Sequence, residues 1–299
     1  MMQPLISIAL CTYNGAKYLQ EQLMSIVNQT YKNIEVVIVD DCSTDNTVDI
    51  VKSLEKSFPR IKLYQNEKNL GFNKNFEKAI ELTTGDYIAI SDQDDIWELN
   101  KLELLLNHID DNWLIFSNSI FVDEHNNDLG KTLLHPSFKL RERDFRSLLF
   151  YNFVTGHTTL LSRIFIPYIF PIPSSGYYDW WMGFIALYHK KIAYLNMNLT
   201  RHRIHGSSVM NKEEQANSSN QKVARFLEKT KNLEILKNYP NLSHQDKQLI
   251  SDLFEAYSKK KKYNLFLIVK MIENYQHFFP DLKKRNLISR FNFALKMGY

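Results

Sequence analysis

Tyr87-Ile88-Ala89-Ile90-Ser91-Asp92-Gln93-Asp94-Asp95 decides how this chain folds. A short, apolar and partly β-branched run stops abruptly at three carboxylates, and Gly85 bounds it on the other side. Such a run reads as a strand of a parallel sheet covered on both faces. In open α/β sheets, ligands bind outside the carboxyl ends of the strands. Carboxylates at that edge are hard oxygen donors suited to Mg²⁺ or Mn²⁺, and such an ion can hold a diphosphate. The competing reading is that Asp92 to Asp95 cap a helix starting near Trp97, because acids suit helix N-termini.

Upstream, the same pattern recurs. Ile6 to Leu10 is an apolar strand ending in Cys11-Thr12-Tyr13-Asn14-Gly15, and Leu19, Leu23, Ile26 and Val27 follow at helical spacing. Ile34 to Val39 is a second strand, ending in Asp40-Asp41-Cys42-Ser43-Thr44-Asp45, with a helix expected over 47–57. Ile61 to Tyr64 is a third, and Asn69-Leu70-Gly71-Phe72 turns into a helix carrying Phe76, Ala79, Ile80 and Leu82. The alternation β-α-β-α-β-α-β predicts a doubly wound parallel α/β sheet with right-handed crossovers.

Downstream the pattern loosens. Leu102, Leu105 and Leu106 suggest a helix and Trp113 to Phe116 a strand. Ile120 to Asp123 suggests an antiparallel strand with Glu124 to Gly130 as its turn. Helices are expected over 141–150 and 179–188, and strands over 158–161 and 200–206. The polar stretch 211–220 reads as a linker. Beyond it, Leu249, Ile250, Leu253, Phe254 and Tyr257 follow helical spacing, and Ser243 with Asp246 resembles a capping box.

The chain has 299 residues, enough for one large domain plus an appendage. At 44% apolar and 13% aromatic residues it is globular rather than disordered. A net charge of +4 is mild and argues for no nucleic-acid partner. Cys11 and Cys42 read as reduced thiols of a cytosolic protein. The N-terminus carries no signal-peptide pattern. No apolar run reaches the length of a membrane span, since Leu265 to Val269 is cut by Lys270. The run Lys259 to Lys262 beside it could dock on anionic lipid, or form a solvated face.

Parallel strands bring Thr12-Tyr13-Asn14, Asp40-Asp41 and Asp92-Gln93-Asp94 to one edge, where they can form one crevice. A carboxylate deep in it can accept from a base N–H, Tyr13 can pack on a base, and the D-x-D pair can hold a metal on the phosphates. The turn after the first strand lacks G-x-G-x-x-G, which counts against a dinucleotide-dependent oxidoreductase.

Taken together, Thr12-Tyr13-Asn14, Val39 to Asp45, Asn69-x-Gly71, Thr84-Gly85-Asp86-Tyr87 and Asp92-Gln93-Asp94-Asp95 resemble the inverting family-two glycosyltransferases of the GT-A fold, over roughly residues 5 to 210. Ser91 to Trp97 and Asp179-Trp180-Trp181 are similar to the branch often labelled rhamnosyltransferase in bacterial surface-polysaccharide clusters. Cys42 stands where that family usually has Gly. No Gln-x-x-Arg-Trp motif of processive synthases is present, so the resemblance implies transfer of a single sugar.

The resemblance implies a GT-A nucleotide-sugar-binding and catalytic domain over 1–210, a linker over 211–220 and a helical region over 221–299. By position, Tyr13 and Asp41 correspond to nucleobase contacts, Asp92 to the ribose and diphosphate side, and Asp94 to the metal ligand. Thr12, Asn14, Asn69, Gly71 and Gln93 fall in the same donor-binding motifs. Asp179 matches the acidic base, although Asp also suits a helix N-cap. Trp180 and Trp181 are a stacking wall for a sugar or core aromatics. The resemblance carries the histidine that completes the metal site to His205, with His202 as competitor; Arg201 and Arg203 could face the diphosphate. His157 falls in the acceptor-side loop.

The expected enzyme is thus cytoplasmic, peripheral to the inner membrane face at most, and dependent on Mn²⁺ or Mg²⁺. Its donor is a UDP- or dTDP-sugar, dTDP-rhamnose among the candidates, and its acceptor a saccharide or a lipid-linked one. Homo-oligomers could form through the C-terminal helices. The rivals are a nucleotidyltransferase on a similar sheet and a non-enzymatic saccharide-binding scaffold.

Overall fold

The computed structural model describes residues 3–205, 218–258, 264–282 and 286–297. Two compact units divide the chain: Met1–Ser137 with Val154–Ser208, and Phe138–Phe153 with Val209–Tyr299. Most of the expected linker and the run Lys259–Lys262 lie outside the described residues.

In the first unit, strands β1 (Ile6–Thr12), β2 (Ile34–Asp40), β3 (Ile61–Gln65) and β4 (Tyr87–Ser91) alternate with helices α1 (Ala16–Val27), α2 (Thr47–Ser57) and α3 (Phe72–Glu81). All seven residues of β2 are buried, which explains its unbroken apolar spelling: a central parallel strand is covered on both faces. Later come β5 (Ile96–Trp97), α4 (Lys101–His108), β6 (Leu114–Val122), β7 (Asp128–Thr132) and β8 (Thr159–Ser162). The short α5 (Ile166–Ile169), α6 (Tyr178–Tyr188) and β9 (Ile192–Arg203) complete the unit.

Among the described residues nine strands form one sheet in the order β3-β2-β1-β4-β8-β6-β9-β5, with β7 paired to β6. Strands β1 to β4 are mutually parallel. Strand β8 runs antiparallel to β4 and β6, and β9 runs parallel to β6. The chain winds outward from β1 to β3, then returns to place β4 on the other side of β1. The winding direction therefore reverses between β1 and β4, where open sheets bind ligands. The buried core on one sheet face includes Ile8, Leu10, Leu19, Leu23, Val36, Ile38 and Ala89.

Three local expectations are corrected. Asp92 to Asp95 cap no helix: Ile96–Trp97 pairs with Thr200 and Arg201, and α4 starts at Lys101. Ile120 is not the start of a new strand, because β6 runs from Leu114 to Val122 and pairs antiparallel with β7 at this end. The expected helix over 141–150 is two 3₁₀ turns, Leu140–Glu142 and Phe145–Leu148. Asp144 separates them; its side chain accepts from Arg146 N and pairs with the Arg146 guanidinium, the local bonding by which Asp competes with helix.

The second unit's described residues form helices α7 (Ser218–Leu236), α8 (His244–Ser258), α9 (Leu265–Glu273), α10 (Tyr275–Phe278) and α11 (Leu287–Met297). Phe150, Leu253, Tyr257, Tyr275, Phe278 and Phe279 are buried there. Ser243 Oγ accepts from Asp246 N at 3.1 Å and donates to its carboxylate at 2.6 Å, capping α8.

Candidate active site

The loops after β1 and β2 are tied together by short polar side chains. Asp40 accepts from Thr12 Oγ1 and from the backbone N and hydroxyl of Ser43. Asn14 N donates to Ser43 Oγ at 2.9 Å, and Asn14 Oδ1 accepts from Thr44 N at 2.7 Å. Gln93 spans to the Tyr13 backbone, accepting from its N at 2.9 Å and donating to its O at 3.1 Å. The β1 loop is thereby fixed to the β4 loop, and Tyr13 is left half-exposed beside them.

Asp41 anchors the third wall. Its carboxylate accepts from Asn66 Nδ2, Leu70 N and Gly71 N at 2.7, 2.8 and 2.9 Å, and Asn69 donates to its backbone O at 3.1 Å. Gly71 has φ 79°, a region open to glycine at little cost. Thus Asn69 and Gly71, expected in the donor-binding motifs, brace Asp41. Cys42 has φ 66°, a left-handed conformation that disfavours a Cβ and suits glycine.

The carboxylates at the strand ends also act on Cys11 and Tyr178. Burial raises the Cys11 thiol well above its usual value, and both Asp92 and Asp41 add to the rise. Burial likewise raises the Tyr178 hydroxyl, with Asp92, Asp179, Cys11 and Asp95 contributing. Asp92 acts on both groups, Asp41 on Cys11 and Asp179 on Tyr178. At Gly156 a Cβ would sit 1.9 Å from the Tyr178 hydroxyl, so only glycine permits this close approach of the loop to α6. Gly156 N in turn donates to Asp179 Oδ2 at 3.2 Å, while Asp179 Oδ1 accepts from Trp180 N at 2.6 Å.

On the other side of the D-x-D, Asp94 Oδ2 meets His205 Nε2 at 2.8 Å. Burial is the main cause that raises the Asp94 carboxyl; the His205 bond lowers it, and the like charges of Asp95 and Asp92 raise it further. This surplus of negative charge is what a divalent cation relieves. The oxygen and imidazole donors suit Mn²⁺ or Mg²⁺, so the residues fit such an ion. A small cavity of about 160 Å³ opens there, lined by Asn14, Lys17, Tyr18, Gln93, Asp94, Glu124 and His205.

A second cluster lies deeper. Asp95, His157 and His202 bring three potential ligand atoms within 4.8 Å of one another. Asp95 Oδ1 pairs with His202 Nδ1 at 2.8 Å, and the His157 and His202 rings stack at 4.5 Å. Burial opposes charge on His202, but Asp95, Asp92 and Asp94 push it up to about 9. Burial also opposes charge on Asp95, yet His202 and His157 hold its carboxyl well below the usual range. Without a metal this cluster is ion-paired, and its three donor atoms also offer a cation a second set of ligands, so His202 stands beside His205 as a candidate ligand.

Several side chains lie elsewhere than expected. His157 is only 3% exposed and contacts Asp92, Asp95 and Ser119. Trp180 and Trp181 are buried, and the Trp181 indole donates to Ile169 O at 2.8 Å, so they serve as core. Arg203 is directed to Asp94 O, Glu124 O and Glu21, and Arg201 to Asn126. Both bind the protein's own oxygens. Sequence reading missed Lys101. It is fully buried, with Nζ donating to His157 O at 2.5 Å and to Thr200 Oγ1 at 2.9 Å and lying 3.8 Å from the Trp97 ring centre. Its signal was a lysine four positions after Trp97 on the apolar side of a helix.

A family model described as glycosyl transferase family 2 matches residues 7–170. The UDP-Glc:alpha-D-GlcNAc-diphosphoundecaprenol beta-1,3-glucosyltransferase WfaP of Escherichia coli is 30% identical over 69% of this chain and 79% of its own length. The dTDP-rhamnosyl transferase RfbG of Shigella flexneri is 42% identical over 37% of this chain and 38% of its own. The solved structure of S. aureus TarS 1-349 in complex with UDP-GlcNAc matches with a TM-score of 0.61 at 20% identity. It covers 98% of this chain and 82% of that one. This last likeness concerns the GT-A fold.

Proposed function

Because the chain belongs to glycosyltransferase family 2, we propose that it moves one sugar with inversion from a UDP- or dTDP-sugar to a saccharide or lipid-linked acceptor in surface-polysaccharide synthesis. The names of its relatives supply the donor and acceptor classes: a UDP-glucose donor with a diphosphoundecaprenol acceptor, and a dTDP-rhamnosyl donor. One observation supports the reading above the others: the D-x-D lies at the strand edge with Gln93 bonded to the Tyr13 backbone on one side and Asp94 Oδ2 meeting His205 Nε2 at 2.8 Å on the other.

Within that crevice Tyr13 offers a ring for the base, and Asp41 retains acceptor capacity on Oδ2, which takes one bond from Gly71 N. Asp92 lies between the base side and Asp94, where ribose and diphosphate would fit. Asp94 and His205 would hold Mn²⁺ or Mg²⁺, which supplies charge neutralisation for the departing diphosphate. Asp179 is held from two sides by Gly156 N and Trp180 N. It takes the proton of the acceptor hydroxyl as that oxygen bonds to the anomeric carbon. The bond from that carbon to the diphosphate oxygen breaks on the opposite face, and its electron pair leaves with the diphosphate.

The test is slow donor hydrolysis, which needs no acceptor. The full chain is incubated with UDP- and dTDP-sugars and Mn²⁺ or Mg²⁺, and the products are separated. Free nucleoside diphosphate is expected. Release of pyrophosphate would assign a nucleotidyltransferase, and no turnover or affinity for any sugar nucleotide would leave a scaffold module.

A further inference from the structure

We propose that the second unit docks on an anionic lipid bilayer through apolar stripes on α9 and α11. The two helices pack against each other, and each turns part of its surface inward: Leu267, Ile268 and Met271 on α9, and Ala294 on α11, are buried. What remains outside is unusual for a solvated surface. On α9, Leu265, Phe266 and Val269 are 69%, 46% and 43% exposed; on α11, Leu287, Ile288 and Phe291 are 70%, 74% and 42% exposed. Both sets follow the same i, i+1, i+4 spacing, which makes one stripe per helix. A helix that spells Leu-Phe-Leu-Ile-Val-Lys-Met-Ile-Glu is apolar almost all round, and such helices are ordinarily covered on all sides. Large exposed apolar patches mark protein or membrane contacts.

Charge selects between those partners. From Lys259 to Tyr299 the sequence holds ten Lys and Arg against two Asp and Glu, a net +8, so the first 258 residues are net −4. The cations cluster immediately before each stripe in the sequence, as Lys259–Lys262 before Leu265 and Lys283-Lys284-Arg285 before Leu287. Apolar side chains that enter the headgroup boundary, with cations drawn to anionic lipid, are the combination that holds a helix in a membrane interface. A second copy of this chain would bring two such basic regions together, which repulsion disfavours. No helix among the described residues is long and apolar enough to cross a membrane, so the contact is peripheral. This inference needs no part of the proposed transfer reaction.

The experiment is sedimentation of the full chain with vesicles of phosphatidylcholine alone or with roughly one-third phosphatidylglycerol, the anionic fraction supplying the surface potential. Binding should rise about tenfold or more with the anionic lipid and weaken in high salt. The double variant Leu287→Ser/Ile288→Ser should lose most of that binding, as should Lys283→Glu/Lys284→Glu. Both should keep the wild-type circular dichroism and donor hydrolysis in solution. Equal binding to both vesicle types, no binding, or variants that bind like the wild type overturn the proposal. So does a concentration-dependent doubling of mass, without vesicle binding, that Leu287→Ser/Ile288→Ser abolishes, because it would assign the stripes to self-association.

Discussion

Asp94 and His205 stand 111 positions apart in sequence and meet at 2.8 Å. The pairing of Ile96 with Arg201 and of Trp97 with Thr200 makes this contact, because it lays the residues after β4 beside the end of β9. Asp94→Ala is expected to cut transfer by about 100-fold or more, as loss of several kcal/mol of charge stabilisation requires. Donor affinity measured by calorimetry with Mn²⁺ should fall as well. His205→Ala should raise the Mn²⁺ concentration needed for half-maximal activity. A normal transfer rate in Asp94→Ala would show that the role is misplaced.

Gly156 N and Trp180 N aim Asp179 without neutralising it. Asp179→Asn keeps the size and one of the two acceptor contacts but replaces the other oxygen with an NH2 group and removes the basic carboxylate. The expected result is a fall in kcat of about 10²–10⁴-fold with KM nearly unchanged. A comparable loss confined to KM would make Asp179 a binding residue.

Glu35 serves stability rather than chemistry. Burial would raise its carboxyl, but bonds from Ser7, Thr84 N and Oγ1, and Lys62 bring it down to about 2 from an ordinary 4.5. The folded state therefore binds fewer protons than the unfolded one in that window. Its stabilisation is complete above pH 4.5 and drains away as pH falls towards 2. Glu35→Gln should cost about 2 kcal/mol at neutral pH, and in urea titrations the gap from wild type should narrow on acidification. A gap independent of pH would contradict this account.

At Cys42 the backbone carries a left-handed turn at φ 66° and the thiol donates to Asn66 O at 3.1 Å. Cys42→Gly should gain roughly 0.5–1 kcal/mol, because relief of the Cβ exceeds a weak thiol bond. Cys42→Val should lose about 1 kcal/mol or more, as β-branching is worst there. Thermal melts decide both, and a destabilised Cys42→Gly would show that the thiol bond outweighs the turn.

Lys101 lies in the core under His157. Burial lowers its pKa well below the ordinary lysine value even though Asp95 and Asp92 oppose the drop. Lys101→Met fills similar volume but strands His157 O and Thr200 Oγ1, so a loss of about 1–3 kcal/mol is expected in urea. An unchanged midpoint would mean that neither oxygen depends on it.

The sequence made the parallel half of the sheet readable because each of its strands is short, apolar and followed at once by a helical period. It also made the acids legible, since Asp41, Asp92 and Asp94 stop those strands abruptly. Side chains were harder to place. Trp180 and Trp181 look the same in sequence whether they stack on a sugar or fill the core, and only the packing of α6 against Ile169 shows burial. Asp144 ended an expected helix by bonding to its own neighbours, a choice that local propensity leaves open.

By itself the chain determined the α/β class, the strand ends that carry carboxylates and the family it belongs to, because hydrophobic period and residue type are local properties. Tertiary structure alone decided which acid meets which base. Asp94 pairs with His205, Asp95 with His202, and Arg203 turns to Glu21. Those pairings follow from strand register, and register is fixed by contacts between segments as many as 182 residues apart.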